Sequence, residues 1–340
     1  MPDPRETTRR AFLRAVAGAA QAPASFPRLS PYVAPDPVYG QRAGDALALT
    51  PTGDLFSVHL GYVPQIDRDH WTLTIDGLVA RPLVLDWAAV RALPAVEAAR
   101  TLVSIGNPVG GPLIASARWR GCALAPLLAE AGVRPEAAHV RFYAADGYAT
   151  SVPVRLARDD RTLLAYAVNG APLPAAQGYP LRVLVPGLYD HKAPKWLTRI
   201  ELSDRPVHGY WERHGWSRAG CVKTHAMFRT PPPRAEVSGA VYLQGVAFAG
   251  DRTIRSVAVS VNEGPWLEAE LIRPESPLVW TPWYFRWQPD VPGVHTFRVR
   301  AVDAEGHTQA GAAPHPFPDG ADALHTLTLT VKASKSAQGV

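Results

Sequence analysis

From Trp71 the chain alternates apolar and polar residues (Trp71-Thr-Leu-Thr-Ile) up to Asp76-Gly77. A period of two that ends in such a dipeptide predicts a half-buried strand running into a turn. Leu85 to Ala92 and Leu124 to Ala131 carry apolar residues at helical spacing, and the second segment stops at Gly132, so both are expected as short helices. Val140 to Ala144 and Tyr148 to Val152 flank Asp146-Gly147, which predicts two strands around a turn. Thr162 to Val168 runs into Asn169-Gly170, a strong short-range hairpin signal. Pro180 to Gly187 is a continuous apolar strand that carries one charge, Arg182. Helices are few and separated, so this half reads as α+β, built on mixed sheets.

The rhythm changes after Pro231-Pro-Pro233. Val241 to Val246, Ile254 to Val261, Trp266 to Leu271, Trp280 to Trp287, His295 to Val302 and Leu324 to Val331 read as short strands separated by Gly, Asp, Asn and Pro turns. Strand count and spacing predict a β-sandwich of immunoglobulin-like type without the Cys-Trp-Cys hallmark. The expected organisation is a leader and extended arm over 1–52, a mixed α/β unit over 53–230 and the sandwich over 231–335. Pro, Ala and Gly dominate the arm.

Composition narrows the function classes. The chain has 34 prolines and 27 glycines in 340 residues, in keeping with many strands and turns. Its net charge of +5 comes from scattered Arg residues with no Lys/Arg block, so a nucleic-acid surface is not expected, while a basic pocket for an anion is. No apolar run approaches the length of a membrane span. The two cysteines, Cys122 and Cys221, lack metal-type spacing, and the sequence leaves their pairing open. Near the start, Thr7-Thr-Arg9-Arg10-Ala-Phe12-Leu13 and a short apolar stretch read either as a twin-arginine export signal, which would place the protein in the periplasm, or as a basic amphipathic start of a cytoplasmic chain.

Candidate chemistry centres on Thr101-Leu-Val-Ser104-Ile-Gly-Asn107-Pro-Val-Gly-Gly111, where an apolar pair leads into a tight, glycine-rich turn. Ser104 stands where strand gives way to turn, a place from which a side chain can enter a pocket. Spacing alone favours a surface loop. Together with Trp119-Arg-Gly121-Cys-Ala-Leu124, however, the segment resembles the cofactor loop of the sulfite oxidase family, with Ser104 in the place of the Cys that ligates molybdenum. Further segments share the resemblance: Tyr166 with Asn169-Gly170, Gly178-Tyr-Pro180-Leu-Arg182 with Val185-Pro186-Gly187, Lys192-Ala-Pro-Lys195-Trp196, Gly209-Tyr-Trp211, and Gly306-x-x-Gln309. By themselves, Arg182 fits a strand-face ion pair and Tyr166 a packed aromatic at a hairpin end.

The resemblance implies a molybdenum–molybdopterin cofactor held by Asn107, Asp146, Gln177, Arg182, Lys192 and Lys195, with Ser104 as metal ligand and Tyr166 and His59 beside it. A phosphate and a polar pterin would take charge-assisted hydrogen bonds from Arg182 and Lys195. It further implies oxygen-atom transfer to or from a small oxyanion, sulfur compound or oxide, and homodimer formation through the sandwich. No haem is expected because Cys-x-x-Cys-His is absent, so electrons would pass to a separate carrier such as a cytochrome. Four positions depart from the family pattern: Ser104, Pro108-Val109 in place of an Arg, His59 in place of another Arg, and Gln177 in place of a His. The alternative they leave open is a relative that keeps the fold as a binding or partner module. A β-rich secreted enzyme of another type is disfavoured, since Gly-x-Ser-x-Gly and His-Glu-x-x-His are both missing.

Overall fold

A computed structural model describes residues 49–311 and 315–332. The export-signal reading at 7–14 and the arm up to residue 48 lie outside the described residues. In chain order the first strands are β1 (Thr72–Gly77), β2 (Leu83–Asp86), β3 (Ala95–Val103), β4 (Ile114–Ala123), β5 (His139–Ala144) and β6 (Ala149–Pro153). They are followed by β7 (Leu163–Val168), β8 (Ala171–Pro172), β9 (Arg182–Leu184) and β10 (Leu197–Ser203).

One mixed sheet has the order β2-β1-β10-β5-β6, with β1 and β10 parallel and the other pairs antiparallel. Leu73, Ile75, Val140, Phe142, Ile200 and Leu202 point inward from it, as the alternation at Trp71 predicts. The expected helix at Leu85 begins later. Leu85 and Asp86 pair with β1, and only Trp87–Ala92 is helical. The Asp86 carboxylate accepts from Ala89 N at 2.7 Å and caps that helix, which explains where it starts. Ala125–Ala131 is the second helix, and it ends at Gly132 in the left-handed conformation (φ 68°).

The other sheet runs β3-β4-β7-β8, with β9 also paired to β7. β3 and β4 pair without interruption from Ala95 opposite Cys122 to Val103 opposite Ile114, so the Ser104–Leu113 segment is the turn of a long hairpin. Asn107 shapes that turn: its side-chain oxygen accepts from Leu113 N at 2.9 Å, and Ser104 O accepts from Asn107 N at 3.0 Å. The predicted strand over Pro180–Gly187 is paired only at Arg182–Leu184.

The remaining strands are β11 (His225–Thr230), β12 (Glu236–Val237), β13 (Val241–Phe248), β14 (Ile254–Val261), β15 (Trp266–Glu268), β16 (Glu270–Leu271), β17 (Thr281–Trp287), β18 (Gly293–Asp303) and β19 (His325–Val331). Two sheets, β11-β13-β17-β16 and β12-β19-β18-β14-β15, enclose Leu243, Val257, Val259, Trp283, Phe297 and Leu329 as a β-sandwich. Its first strand, β11, precedes Pro231, because His225–Thr230 finds a hydrogen-bonding partner in β13. The sandwich therefore begins ahead of the proline run that suggested a boundary. Cys122 is buried, Cys221 is exposed, and both are free.

Candidate active site

A cavity with a void of about 810 Å³, partly open to solvent, lies against the Ser104 turn. Three stretches of the chain converge there: the turn after β3, the Phe56–Leu60 segment, and the run from Gln177 to Trp196. Arg182 reaches it from β9. Its Nη1 donates to Gln177 O (3.1 Å) and Gln177 Oε1 (3.2 Å), its guanidinium lies 5.1 Å from the Trp119 ring centre, and its Nε is buried without a partner. Lys195 Nζ donates to Ser57 Oγ at 2.7 Å and Ala176 O at 3.2 Å, and lies 4.6 Å from the Trp196 ring centre. Gly178 (φ 105°) brings the two cations together. A Cβ there would fall 2.9 Å from Lys195 Cβ and 3.1 Å from Arg182 Cβ.

Neither cation has a carboxylate at ion-pair distance among the described residues. Burial, then repulsion from Arg182, pulls the Lys195 pKa down to about 7. Burial likewise lowers Arg182 to about 10, which leaves it charged at neutral pH. On the same cavity wall, along with Ser104 and Ile105, lies the Asp190 carboxylate, whose charged form both of these neighbours favour. Burial nevertheless outweighs their effect and the attraction of Lys195 and Arg182, pushing Asp190 up to about 6. His59 packs edge-on to Trp196 (6.3 Å), and burial followed by Lys195 lowers its pKa. His191 is lowered to about 4, first by burial and then by Lys192, so it is neutral.

Of the residues singled out in the sequence, Ser104, His59, Asp146, Gln177, Arg182 and Lys195 all line this cavity. Gln177 is tied down by Nε2 bonds to Leu55 O and Phe56 O, and the Asp146 carboxylate accepts from Tyr148 N at 3.0 Å. Tyr166, Asn107 and Lys192 do not line it. Tyr166 packs against Trp87 (6.1 Å) and under the Arg91 guanidinium (4.2 Å), because the alternation of β7 turns it to the face opposite Ala165. The Asn107 side chain is spent inside its own turn. Lys192 forms a buried ion pair with Glu212 at 2.5 Å.

Sequence reading did not single out Asp190, Ser57, Tyr148 or His191. Asp190 had a signal available: it is the only carboxylate between Arg182 and Glu201, inside an apolar and basic run.

The residues present fit a molybdopterin-type group. Two enclosed cations with no anionic partner, one with an orphaned Nε, match a phosphate-bearing ligand. Ser104 Oγ and the Asp190 carboxylate are hard oxygen donors, suited to a high-valent metal rather than a thiolate-seeking one. Among the described residues there is no cluster of three or more His, Cys, Asp or Glu placed to hold a metal ion.

Comparison with known proteins agrees. Residues 59–211 match the family described as oxidoreductase molybdopterin binding domain. The Bacillus subtilis uncharacterized oxidoreductase YuiH is 35% identical over 164 residues, which span 48% of this chain and 81% of that protein. Mitochondrial sulfite oxidases from Drosophila melanogaster and Homo sapiens are 32% and 29% identical, over 61% and 70% of this chain. The matched regions are 42% and 53% of those two proteins, so the chain spans about half the length of the sulfite oxidases it matches. The sulfane dehydrogenase SoxCD of Paracoccus pantotrophus has the same fold, with a TM-score of 0.73 over 84% of both chains at 22% identity. The chain belongs to the sulfite oxidase family and is a molybdopterin-dependent oxidoreductase.

Proposed function

We propose that this protein transfers an oxygen atom to or from a small, uncharged sulfur compound or oxide, with electrons exchanged through a separate carrier such as a cytochrome. The observation that carries the reading is the meeting, in one cavity, of two cations lacking carboxylate partners with Ser104 and Asp190 on the same lining. Arg182, Lys195, Ser57 and Gln177 would hold the anionic and pterin end of the cofactor. Ser104 would stand at the metal, in the place of the family Cys. The bound cofactor supplies two-electron oxygen-atom transfer.

The chain's own contribution is orientation and exclusion of water. Asp190 lines the cavity with Ser104, where its carboxylate would orient the Ser104 hydroxyl. Phe56, Leu60, Ile105, Trp211 and Trp216 form a largely apolar remainder of the wall. Once Arg182 and Lys195 are engaged by the cofactor, no further Lys or Arg among the described residues lines the cavity, while Asp146 and Asp190 do. A dianionic oxyanion would meet carboxylates without a compensating cation, so a neutral substrate fits better. Export by the twin-arginine route and pairing of two copies through the sandwich belong to the same reading.

The test is metal and pterin analysis of protein purified from a molybdenum-replete host. Wild type is expected to carry both. Arg182→Gln and Lys195→Gln are expected to lose both while remaining folded. Ser104→Cys is expected to keep the metal and show sulfur in its coordination by X-ray absorption. Wild-type protein without molybdenum or pterin, or variants with full occupancy, overturns the assignment.

A further inference from the structure

Arg100 lies on β3, four residues ahead of Ser104, and takes no part in the site above. It is only 5% exposed, and its Nε is sealed from solvent without a partner. Its guanidinium makes no hydrogen bond or ion pair with any described residue. The nearby charges are already committed. Arg161 donates to Asp159 (2.7 Å) and Asp251 (3.3 Å), and Glu275 accepts from Ala99 N and Arg118. What reaches Arg100 through space is repulsion from Arg161 and attraction from Asp159, which oppose each other. Burial lowers its pKa to about 10, so it is a cation at neutral pH.

The Arg100 side chain lines a second cavity, of about 300 Å³ including its open mouth. β3 and the stretch from Leu184 to Leu188 form one side of it, and Phe248 and Gly250 of the sandwich form the other. Leu102 lines this cavity and the larger one, so the two share a wall. Apart from Thr101, whose Oγ1 accepts from Trp280 N at 2.9 Å, the side chains around it are apolar: Leu184, Val185, Pro186, Phe248 and Leu278. A lone guanidinium enclosed by such walls needs a counter-charge or a hydrogen-bond acceptor that the protein itself withholds.

We propose that this cavity is a binding site for a small monovalent anion, a halide or a formate-sized carboxylate, held on the Arg100 guanidinium. A single cation sets the charge, since a second negative charge would remain unmet among apolar side chains. The room available sets the size, and the planar fork of the guanidinium accepts either a spherical ion or a carboxylate edge.

The experiment uses full-length protein exchanged into gluconate buffer at fixed ionic strength and titrated with bromide, formate or sulfate while its melting temperature is followed. Bromide or formate is expected to raise Tm saturably, by roughly 2–4 °C. Arg100→Met is expected to abolish that response and, in gluconate alone, to melt above wild type, because an uncompensated buried charge has gone. Sulfate, which can engage the Arg182–Lys195 cavity, is expected to act equally on both proteins. A bromide-only response assigns a halide site, and a formate-only response a carboxylate site. Crystals soaked in bromide give an independent readout, with anomalous density expected at Arg100 even if the variant does not fold. The proposal is overturned if neither small anion gives a saturable shift, if Arg100→Met responds like wild type, or if the sulfate response depends on Arg100.

Discussion

Lys192 offers the sharpest division between what family resemblance implies and what this structure does with the residue. The resemblance makes it a cofactor ligand. The structure encloses it instead, with Nζ 2.5 Å from Glu212 Oε1, 3.1 Å from Thr150 Oγ1 and 3.2 Å from Ser151 O, and with both charged side chains at most 3% exposed. Lys192→Met keeps the stem and deletes the charge, leaving Glu212 with the Thr150 hydroxyl at 2.6 Å and one oxygen that already has no partner. Removing one member of a buried pair costs about 3–5 kcal/mol, against a total stability of roughly 5–15 kcal/mol. Because the lost interaction and the stranded carboxylate are one effect, Lys192→Met/Glu212→Leu should recover most of that loss, with a coupling of about 2 kcal/mol or more. The pair also anchors the Tyr210–Arg213 helix, whose Trp211 borders the main cavity, so the single variant should become protease-sensitive near that helix. Urea denaturation of the cofactor-free protein measures all three variants of the cycle. The reasoning fails if Lys192→Met loses less than about 1 kcal/mol while its molybdenum content collapses; Lys192 would then be a ligand after all.

Two further outcomes follow from charge and burial. The folded-state pKa of Lys195 is depressed to about 7 from its ordinary 10.5, so the cofactor-free fold is penalised for every proton the unfolded chain still holds between those values. Its stability should therefore rise with pH from about 7 toward 10, and sulfate affinity, which needs the protonated ammonium, should fall above pH 7; calorimetry of wild type and Lys195→Arg checks this, and identical flat profiles would refute it. Asp303 is the second case. Burial raises its pKa, but bonds from Arg252 Nε (2.7 Å), Thr224 Oγ1 (2.7 Å) and His307 N (2.9 Å) win and hold it well below the usual carboxylate range. That stabilisation is present above pH 4 and lost as pH falls further, and Asp303→Asn should cost about 3 kcal/mol in urea melts at pH 7, with a much smaller difference near pH 2.

Much of the fold was legible because periodicity speaks directly about faces. The alternation from Trp71 to Ile75 becomes β1 with Leu73 and Ile75 fully buried, and the sandwich strands fall close to where turn residues bracketed them. What the sequence hid was pairing. Leu85 and Asp86 look helical until β1 offers them hydrogen bonds, and His225–Thr230 looks like the end of the first unit until β13 recruits it. Both errors sit at boundaries, where a local pattern is overruled by a strand that arrives from elsewhere in the chain.

The site was legible to the extent that motif and geometry coincide, and the lysines show where they part. Lys192 and Lys195 are three residues apart in one motif, yet a short 3₁₀ turn over Asp190–Lys192 sends the first toward Glu212 and the second over Trp196 into the cavity. The same turn brings Asp190 to the cavity that Ser104 lines, which no spacing rule connects across 86 positions. Tyr166 fails for a related reason: Asn169-Gly170 correctly marks the hairpin, but one step of strand alternation decides whether a residue faces the cavity or the core, and Tyr166 is on the core side with Trp87. Substitution at the metal position therefore cannot be weighed alone. Were Ser104 to stand in for the family Cys, a carboxylate neighbour on the cavity wall would be Asp190 from a distant turn, and Asp190→Asn should disturb the seating of Ser104 where a surface loop would be indifferent. Crystal structures of that variant and wild type would show it, as a changed Ser104 rotamer in the first case or an unchanged one if Asp190 is a bystander.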